Sequence, residues 1–345
     1  MPDGSNDNHN DNNLLLTLNP FVLTCAWFSP GEINAFVEGI KDKKQKLICC
    51  AELLYYTGHP EQAHNICTGE TEMDDMPTNF AMYLINALTA MTTGNVDEIM
   101  DIYSFLKSIR EYTDTVPEFK KTVDFFSLYF NIMVHNTQDI VLPDINVDAF
   151  AVPYELKPMA IFAYAHYLII MRDYRHAVGL CEAALTMMNR KNVIGRIYLS
   201  IIASIGYISC ADWKRAEYYF RYAWSLALPD GIIMPFAEYR WMLSGMLEKC
   251  IRISNPDEYR LISELSYKYH KNWVKVHNSI TGDTVSDKLT ATEFNIAMLA
   301  SKELSNTEIA DFLEISVNSV RAHLRNIFNK LEIDSRKELK SFVIK

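Results

Sequence analysis

Apolar residues in this chain recur at intervals of three and four, and the two residues that interrupt helices are sparse, with 12 glycines and 12 prolines in 345 positions. Leu47, Ile48, Ala51, Leu54 and Tyr55 form one helical face, and Phe125, Leu128, Tyr129, Ile132 and Met133 form another. The alternation of a half-buried strand is hard to find. This periodicity predicts an all-α fold. A composition of 49% hydrophobic and 22% charged residues suffices for a packed core, and the length suits two or three domains. The uncharged run 197–211 is bounded by Arg196 and Asp212. It falls short of the ~20 residues that span a bilayer, so it reads as a buried core helix.

The periodic region contains internal similarity. Asp173-Tyr174-Arg175-His176-Ala177 aligns with Asp212-Trp213-Lys214-Arg215-Ala216 at an offset of 39, and the alignment continues from Ala184 to Ala223. Upstream, Thr57-Gly58-His59 parallels Thr93-Gly94-Asn95 at an offset of 36. In each case a helix ends in a short polar turn and another begins. The small residues Ala177, Ala184, Ala216 and Ala223 allow close helix approach, and Tyr174 or Trp213 fills the gap beside them. Over residues 21–277 the pattern resembles stacked tetratricopeptide-like hairpins. An irregular helical bundle is the alternative. A stacked array offers a concave face to peptides, proteins or small molecules. Tyr218, Tyr219, Phe220 and Tyr222 are candidates to line it, although aromatics at this spacing more often fill a core.

Residues 1–20 are expected to form a disordered tail. The first 13 are rich in Asn and Asp and lack the basic residues of a targeting signal. The seven cysteines form no Cys-x-x-Cys pair, and no histidine pair lies at zinc-ligand spacing beside them. Buried free thiols in a reducing cytoplasm follow, with no metal, no cofactor and no membrane partner. Residues 278–287 are polar and short of large apolar side chains, and read as a linker.

The remaining residues, 288–345, read as a compact set of short helices. Thr290 stands three positions before Glu293, a capping box. That helix carries Phe294, Ala297 and Met298 on one face and ends near Lys302. A second helix, capped by Asn306 or Thr307, points Ile309 and Leu313 inward. After a tight turn Ser316 caps a third helix, packed down by Val320, Leu324, Ile327 and Leu331. Arg321, His323 and Arg325 fall on its other side. A last helix starts at Ser335 and carries Leu339, Phe342 and Val343. A short helix, a tight turn and a basic helix make a helix-turn-helix, whose second helix fits the major groove of double-stranded DNA. Arg321 and Arg325 are four apart, hence on one face, and arginine is suited to the O6 and N7 of guanine. From position 316 onward there are seven basic and three acidic residues in a chain of net charge −10. A local cationic face on an acidic protein suits site-specific DNA binding.

This segment resembles the LuxR-type (GerE-type) DNA-binding domain. The matching residues are Leu289-Thr290 with Glu293, Ser305-Asn306 with Glu308-Ile309-Ala310, Leu313 with Ile315-Ser316, and Ser319-Val320-Arg321 with His323, Ile327, Lys330-Leu331 and Arg336. The resemblance implies a bacterial transcription regulator whose recognition helix spans residues 316–328. It implies base contacts by Arg321 and Arg325, with Ala322 between them against the DNA. It implies phosphate contacts by Thr307, Asn318, Ser319 and Lys330, with His323 as a further phosphate or packing contact. Homodimeric binding to an inverted repeat follows, with Leu339 and Phe342 as a candidate dimer surface. Three departures stand out: Glu303 and Glu332 replace family glycines, and Thr292 replaces an arginine. A left-handed Glu303 costs on the order of 1 kcal/mol.

The sequence lacks a phosphate-binding loop, a Rossmann fingerprint, a Gly-x-Ser-x-Gly elbow and a His-Glu-x-x-His motif. An enzyme therefore has no residues to rest on. The reading is a two-part transcription regulator, its helical-repeat region controlled by a small-molecule or protein effector. The alternative is an interaction scaffold whose terminal domain no longer binds DNA.

Overall fold

A computed structural model describes residues 20–69, 76–112, 117–137, 152, 154–282 and 288–339. Sixteen α-helices and no strand occur among them. In chain order these are α1 (Ile33–Gly39), α2 (Lys43–Tyr56), α3 (Pro60–Thr68), α4 (Met76–Thr93), α5 (Val96–Tyr112), α6 (Pro117–Met133), α7 (Lys157–Ile170), α8 (Tyr174–Met187), α9 (Val193–Ser209), α10 (Trp213–Ala227), α11 (Met234–Tyr239), α12 (Met246–Ile251), α13 (Pro256–Thr281), α14 (Ala291–Ser301), α15 (Asn306–Leu313) and α16 (Val317–Leu331). The all-α expectation holds. The proposed tail lies outside the described residues except for Pro20.

Three of the four turns that the sequence aligned share one closure, and in the fourth Gly94 N donates four positions back to Ala90 O. Gly58, Arg172 and Ala211 all take positive φ. In each, the next residue's N–H reaches back five positions, from His59 to Leu54, Asp173 to Leu168 and Asp212 to Tyr207, at 2.8 to 2.9 Å. The left-handed residue itself donates three positions back. These paired bonds cap the orphan carbonyls of one helix while the chain turns into the next. Asp212 then caps α10 by accepting from Arg215 N at 3.1 Å.

Successive helices pack in antiparallel sequence, α7 on α8, α8 on α9 and α9 on α10, with α7 also touching α9. Ala177, Ala184, Ala216 and Ala223 are all buried at these crossings. Helix α9 is buried at every position from Val193 to Ile208, as the uncharged run implied. The array also closes on itself. The long helix α13 packs on α4, α5, α11 and α12, and α2 packs on α11. Asp230 accepts from Gly31 N and Ile33 N, and Phe28 N donates to Lys191 O. Phe220 is fully buried, Tyr219 and Tyr222 are half-buried, and Tyr218 is exposed.

Two sequence expectations need correction. Residues 278–281 are the last turn of α13 rather than linker: Ile280 continues its apolar stripe, Thr281 Oγ1 donates to His277 O at 2.8 Å, and Gly282 in the left-handed region closes the helix. Cys210 is exposed and Cys50 and Cys67 are half-buried, while Cys25, Cys49, Cys181 and Cys250 are buried thiols. Cys210 sits in a turn, so its apolar neighbours in sequence do not enclose it. No helix among the described residues is long and apolar enough to cross a membrane.

The centre of the array holds a buried carboxylate. Tyr55 donates to Glu238 at 2.5 Å and Tyr198 donates at 3.1 Å. Glu52 nearby accepts from Leu23 N, Thr24 N and Thr24 Oγ1. Burial pushes the Glu238 carboxyl up to about 7, against the opposing pull of the two tyrosine hydroxyls. A carboxyl with a raised folded pKa gives stability that is full below its unfolded value near 4.5 and is lost as pH rises through about 7. Glu238→Gln, which keeps an acceptor for Tyr55, is therefore expected to leave stability nearly unchanged at pH 4.5 and to raise it by about 1–3 kcal/mol at pH 8. Denaturant unfolding of both proteins across that range checks it. A constant difference would place the proton elsewhere.

Candidate nucleic-acid interface

The C-terminal domain has its own small core, built from Leu289, Ile296, Leu299, Ile309, Leu313, Val320, Leu324, Ile327, Leu331, Ile333 and Leu339. Its three helices start on side-chain caps. Thr290 and Glu293 form the expected capping box on α14. A second capping box, Ser305 with Glu308, opens α15. The cap is thus Ser305 rather than Asn306 or Thr307, because Ser305 has the extended backbone from which its hydroxyl reaches Glu308 N. Ser316 caps α16 by accepting from Ser319 N at 3.0 Å.

Helix α16 is sharply two-sided. Val320, Leu324, Ile327 and Leu331 are buried. Asn318, Arg321, Ala322, Arg325, Asn326 and Asn329 are exposed, at the 3–4 spacing of a single stripe. Thr307 is exposed at the start of α15, and Ser319 and His323 are half-buried. The stripe thus brings together the three residues expected to meet bases and adds Asn326 and Asn329, which sequence reasoning passed over. Their spacing from Ala322 and Arg325 was the available signal. Arginine offers a bidentate fork to guanine and asparagine can bond adenine. The same stripe therefore carries donors and acceptors suited to base edges.

Two basic residues are already engaged. Lys330 Nζ donates to Glu293 Oε2 at 2.7 Å, and the ammonium helps hold that carboxyl below the usual range despite its burial. The pair ties α16 to α14. Arg336 donates from Nε to Ala300 O at 3.1 Å, from Nη1 to Asn306 Oδ1 at 3.0 Å, and from Nη2 to Leu304 O. It satisfies the carbonyls left where α14 gives way to α15. Part of the local positive charge therefore fastens the domain together. Leu339 is fully buried in the domain core, beside α14. It is not on a free surface, and its assignment to a dimer surface is withdrawn. Phe342 lies outside the described residues.

The domain is docked against the helical array. Phe312, at the end of α15, meets the Trp213 ring at 4.8 Å, and Lys249 Nζ lies 5.2 Å from the Phe312 ring. Gly245 has φ of +84°, and a Cβ there would stand 2.4 Å from Leu313 Cδ2. Arg252 pairs with Glu314 at 3.0 Å, and Phe294 meets Trp241 at 4.8 Å. The Lys302 ammonium is buried near Trp213 without a hydrogen-bond partner, and burial lowers its pKa to about 8.

A short capped helix, a turn closed by left-handed Glu314, and a second helix with a solvent-facing polar stripe define a helix-turn-helix DNA-binding domain. The family described as bacterial regulatory proteins, luxR family (GerE) matches residues 287–343. The C-terminal domain is a LuxR-family domain, and a chain that carries it is a DNA-binding transcription regulator by class. No curated protein and no solved structure matches the chain.

Glu303 and Glu332, which occupy family glycine positions, do adopt the left-handed region, with φ of 67° and 56°. Such a backbone costs a side chain about 1–2 kcal/mol, and glycine's larger unfolded entropy returns part of that. Glu303→Gly and Glu332→Gly are each expected to stabilise the domain by about 0.5–1 kcal/mol. Thermal unfolding of the variants checks this; a fall in midpoint would mean that side-chain contacts outweigh the strain.

Proposed function

We propose that this chain is a sequence-specific transcription regulator whose α16 lies in the major groove, with Arg321 and Arg325 reading bases and Ala322 against the DNA between them. The observation that carries the reading is the exposed stripe from Asn318 to Asn329 opposite the buried Val320, Leu324, Ile327 and Leu331. Thr307, Asn318, Ser319 and His323 border the stripe and position the domain on phosphates. Lys330 adds its charge to that edge while it stays paired with Glu293. A two-fold inverted repeat would take two copies of the chain.

The helical array is the controlling half. Besides Phe294 and Lys302, its contacts reach Phe312, Leu313 and Glu314, the residues that lead directly into the N-terminus of α16. An effector that alters the array near Trp213, Gly245 or Arg252 acts on that segment through direct contact. Only differential affinity for docked and undocked arrangements can shift their balance.

The test is selection of genomic DNA fragments by the full chain beside an Arg321→Ala/Arg325→Ala variant. The wild type is expected to enrich a defined sequence, with affinity that falls steeply as salt rises. The variant is expected to lose that preference, at about 1–3 kcal/mol for each base contact. Equal enrichment by both proteins, or binding insensitive to salt, overturns the reading. A separate variant addresses control. Trp213→Ala removes a ring on the array side and leaves the DNA-facing stripe intact. Hydrogen exchange in residues 306–313 is expected to rise, together with a change in DNA affinity. Faster exchange with unchanged affinity would disconnect docking from DNA binding.

A further inference from the structure

A cavity of about 330 Å³ lies between α3, α4 and the start of α5, far along the chain from the DNA-binding domain. It is partly enclosed and lined in part by Cys67, Asn79, Met82, Tyr83, Asn86 and Glu98. Its volume lies at the lower end of the small-molecule range. Among the described lining residues Glu98 alone carries a formal charge, since burial pushes the Cys67 thiol up to about 12 and keeps it neutral.

The Glu98 carboxylate is held in place. Asn86 Nδ2 donates to Oε1, Asn95 Nδ2 donates to Oε2 at 2.8 Å, and Glu98 N donates to Asn95 Oδ1 at 3.2 Å. Asn86, itself buried, is oriented in turn by His64 Nδ1 at 2.9 Å and by Thr89 Oγ1 at 3.2 Å. His64 Nδ1 is 3.9 Å from Glu98 and is itself directed at Asn86. Each carboxylate oxygen has a second lone pair beyond the amide bond it accepts. Tyr83 lines the same cavity, 44% exposed yet stacked on Phe105 at 4.5 Å. A fixed carboxylate with an aromatic wall is the pairing that recognises an organic cation, through a charge-assisted hydrogen bond and a cation–π contact. Glu98 gives the described lining its one formal charge, which disfavours an anion.

We infer that this cavity is the effector site of the array and that it takes a small organic ammonium ion, bound by Glu98 and by the ring face of Tyr83 turned away from Phe105. The assignment as an effector site rests on the regulatory reading above, whereas binding itself does not.

Calorimetric titration of the full chain, without DNA, tests binding. The probes are butylamine, phenethylamine and choline, with butyrate as the anionic control. At least one of the ammonium probes is expected to bind while butyrate does not. Glu98→Gln keeps the side-chain shape and an acceptor for Asn86, and is expected to weaken that binding at least about tenfold with unchanged helical content. Tyr83→Leu is expected to weaken it several-fold. Absence of binding by every ammonium probe, equal binding by Glu98→Gln, or preferential binding of butyrate overturns the site. DNA retardation with and without the bound probe is then read separately. A probe that binds but leaves DNA affinity unchanged keeps the cation site and removes its effector role; failure of DNA binding in both arms removes the regulatory reading.

Discussion

A chain made almost wholly of short helices must reverse direction many times without leaving backbone groups unpaired. This chain does so with single residues in the left-handed region. In the array they include Gly58, Gly94, His135, Arg172, Ala211 and Gly282; in the DNA-binding domain they are Glu303, Glu314 and Glu332 among the described residues. At each position the backbone turns sharply, and the helix C-terminus finds N–H donors within the next residues, as His59, Asp173 and Asp212 show. The capping side chain that follows, Asp212 in the array or Ser305 and Ser316 in the terminal domain, then opens the next helix. The packing of neighbouring helices depends on this closure, because it sets the angle at which Ala177 or Ala216 meets the adjoining helix. Glycine fills only some of these positions. Elsewhere a side chain tolerates the strain because the helices on both sides are anchored by burial.

This also explains what could be read from the sequence. Helix type followed from periodicity, and the aligned turns followed from Asp173 and Asp212, since turn chemistry is local. The capping box at Thr290 and the cap at Ser316 were legible for the same reason. Ser305 was passed over in favour of its neighbours because three consecutive residues, Ser305, Asn306 and Thr307, all have capping side chains, and only backbone geometry separates them. The end of α13 was misplaced because the polar residues Asn278 and Ser279 hide the single apolar position, Ile280, that continues the helix. On α16, the buried face and the arginine pair were legible, and the exposed stripe followed from the same spacing. Counting charge in sequence, however, gives no partners. Lys330 and Arg336 count as positive, yet one is paired with Glu293 and the other with carbonyls of the α14–α15 turn. Leu339 read as surface because nothing local shows which helix covers it.

The contact between the two regions was not legible at all. Trp213 and Phe312 both look like core aromatics, and each would be so within its own region. They meet because Gly245 leaves room for Leu313, a feature of three-dimensional approach. The interface mixes favourable and unfavourable terms. Aromatic packing and the Arg252–Glu314 pair favour docking, although that pair is partly exposed and contributes little. Against them stands the Lys302 ammonium, desolvated beside Trp213 with its pKa drawn down. The contact surface thus combines two ring contacts, Phe312 on Trp213 and Phe294 on Trp241, with one partly exposed ion pair and one ammonium that lacks a hydrogen-bond partner.

Such a balance fits the division of labour along the chain. The stripe on α16 is exposed in the docked arrangement, so docking need not hide the residues proposed to meet DNA. What it constrains is the segment just before them, from Phe312 to Glu314, which sets where the N-terminus of α16 can lie. Within the DNA-binding domain Lys330 ties α16 to α14, and Arg336 ties the domain's end to the α14–α15 turn. A shift at Trp213 or Gly245 would therefore displace the whole reading surface rather than deform it. On the regulatory reading proposed above, control would act on the position of an intact recognition helix, so that the array would alter DNA affinity without altering the base preference proposed for Arg321 and Arg325.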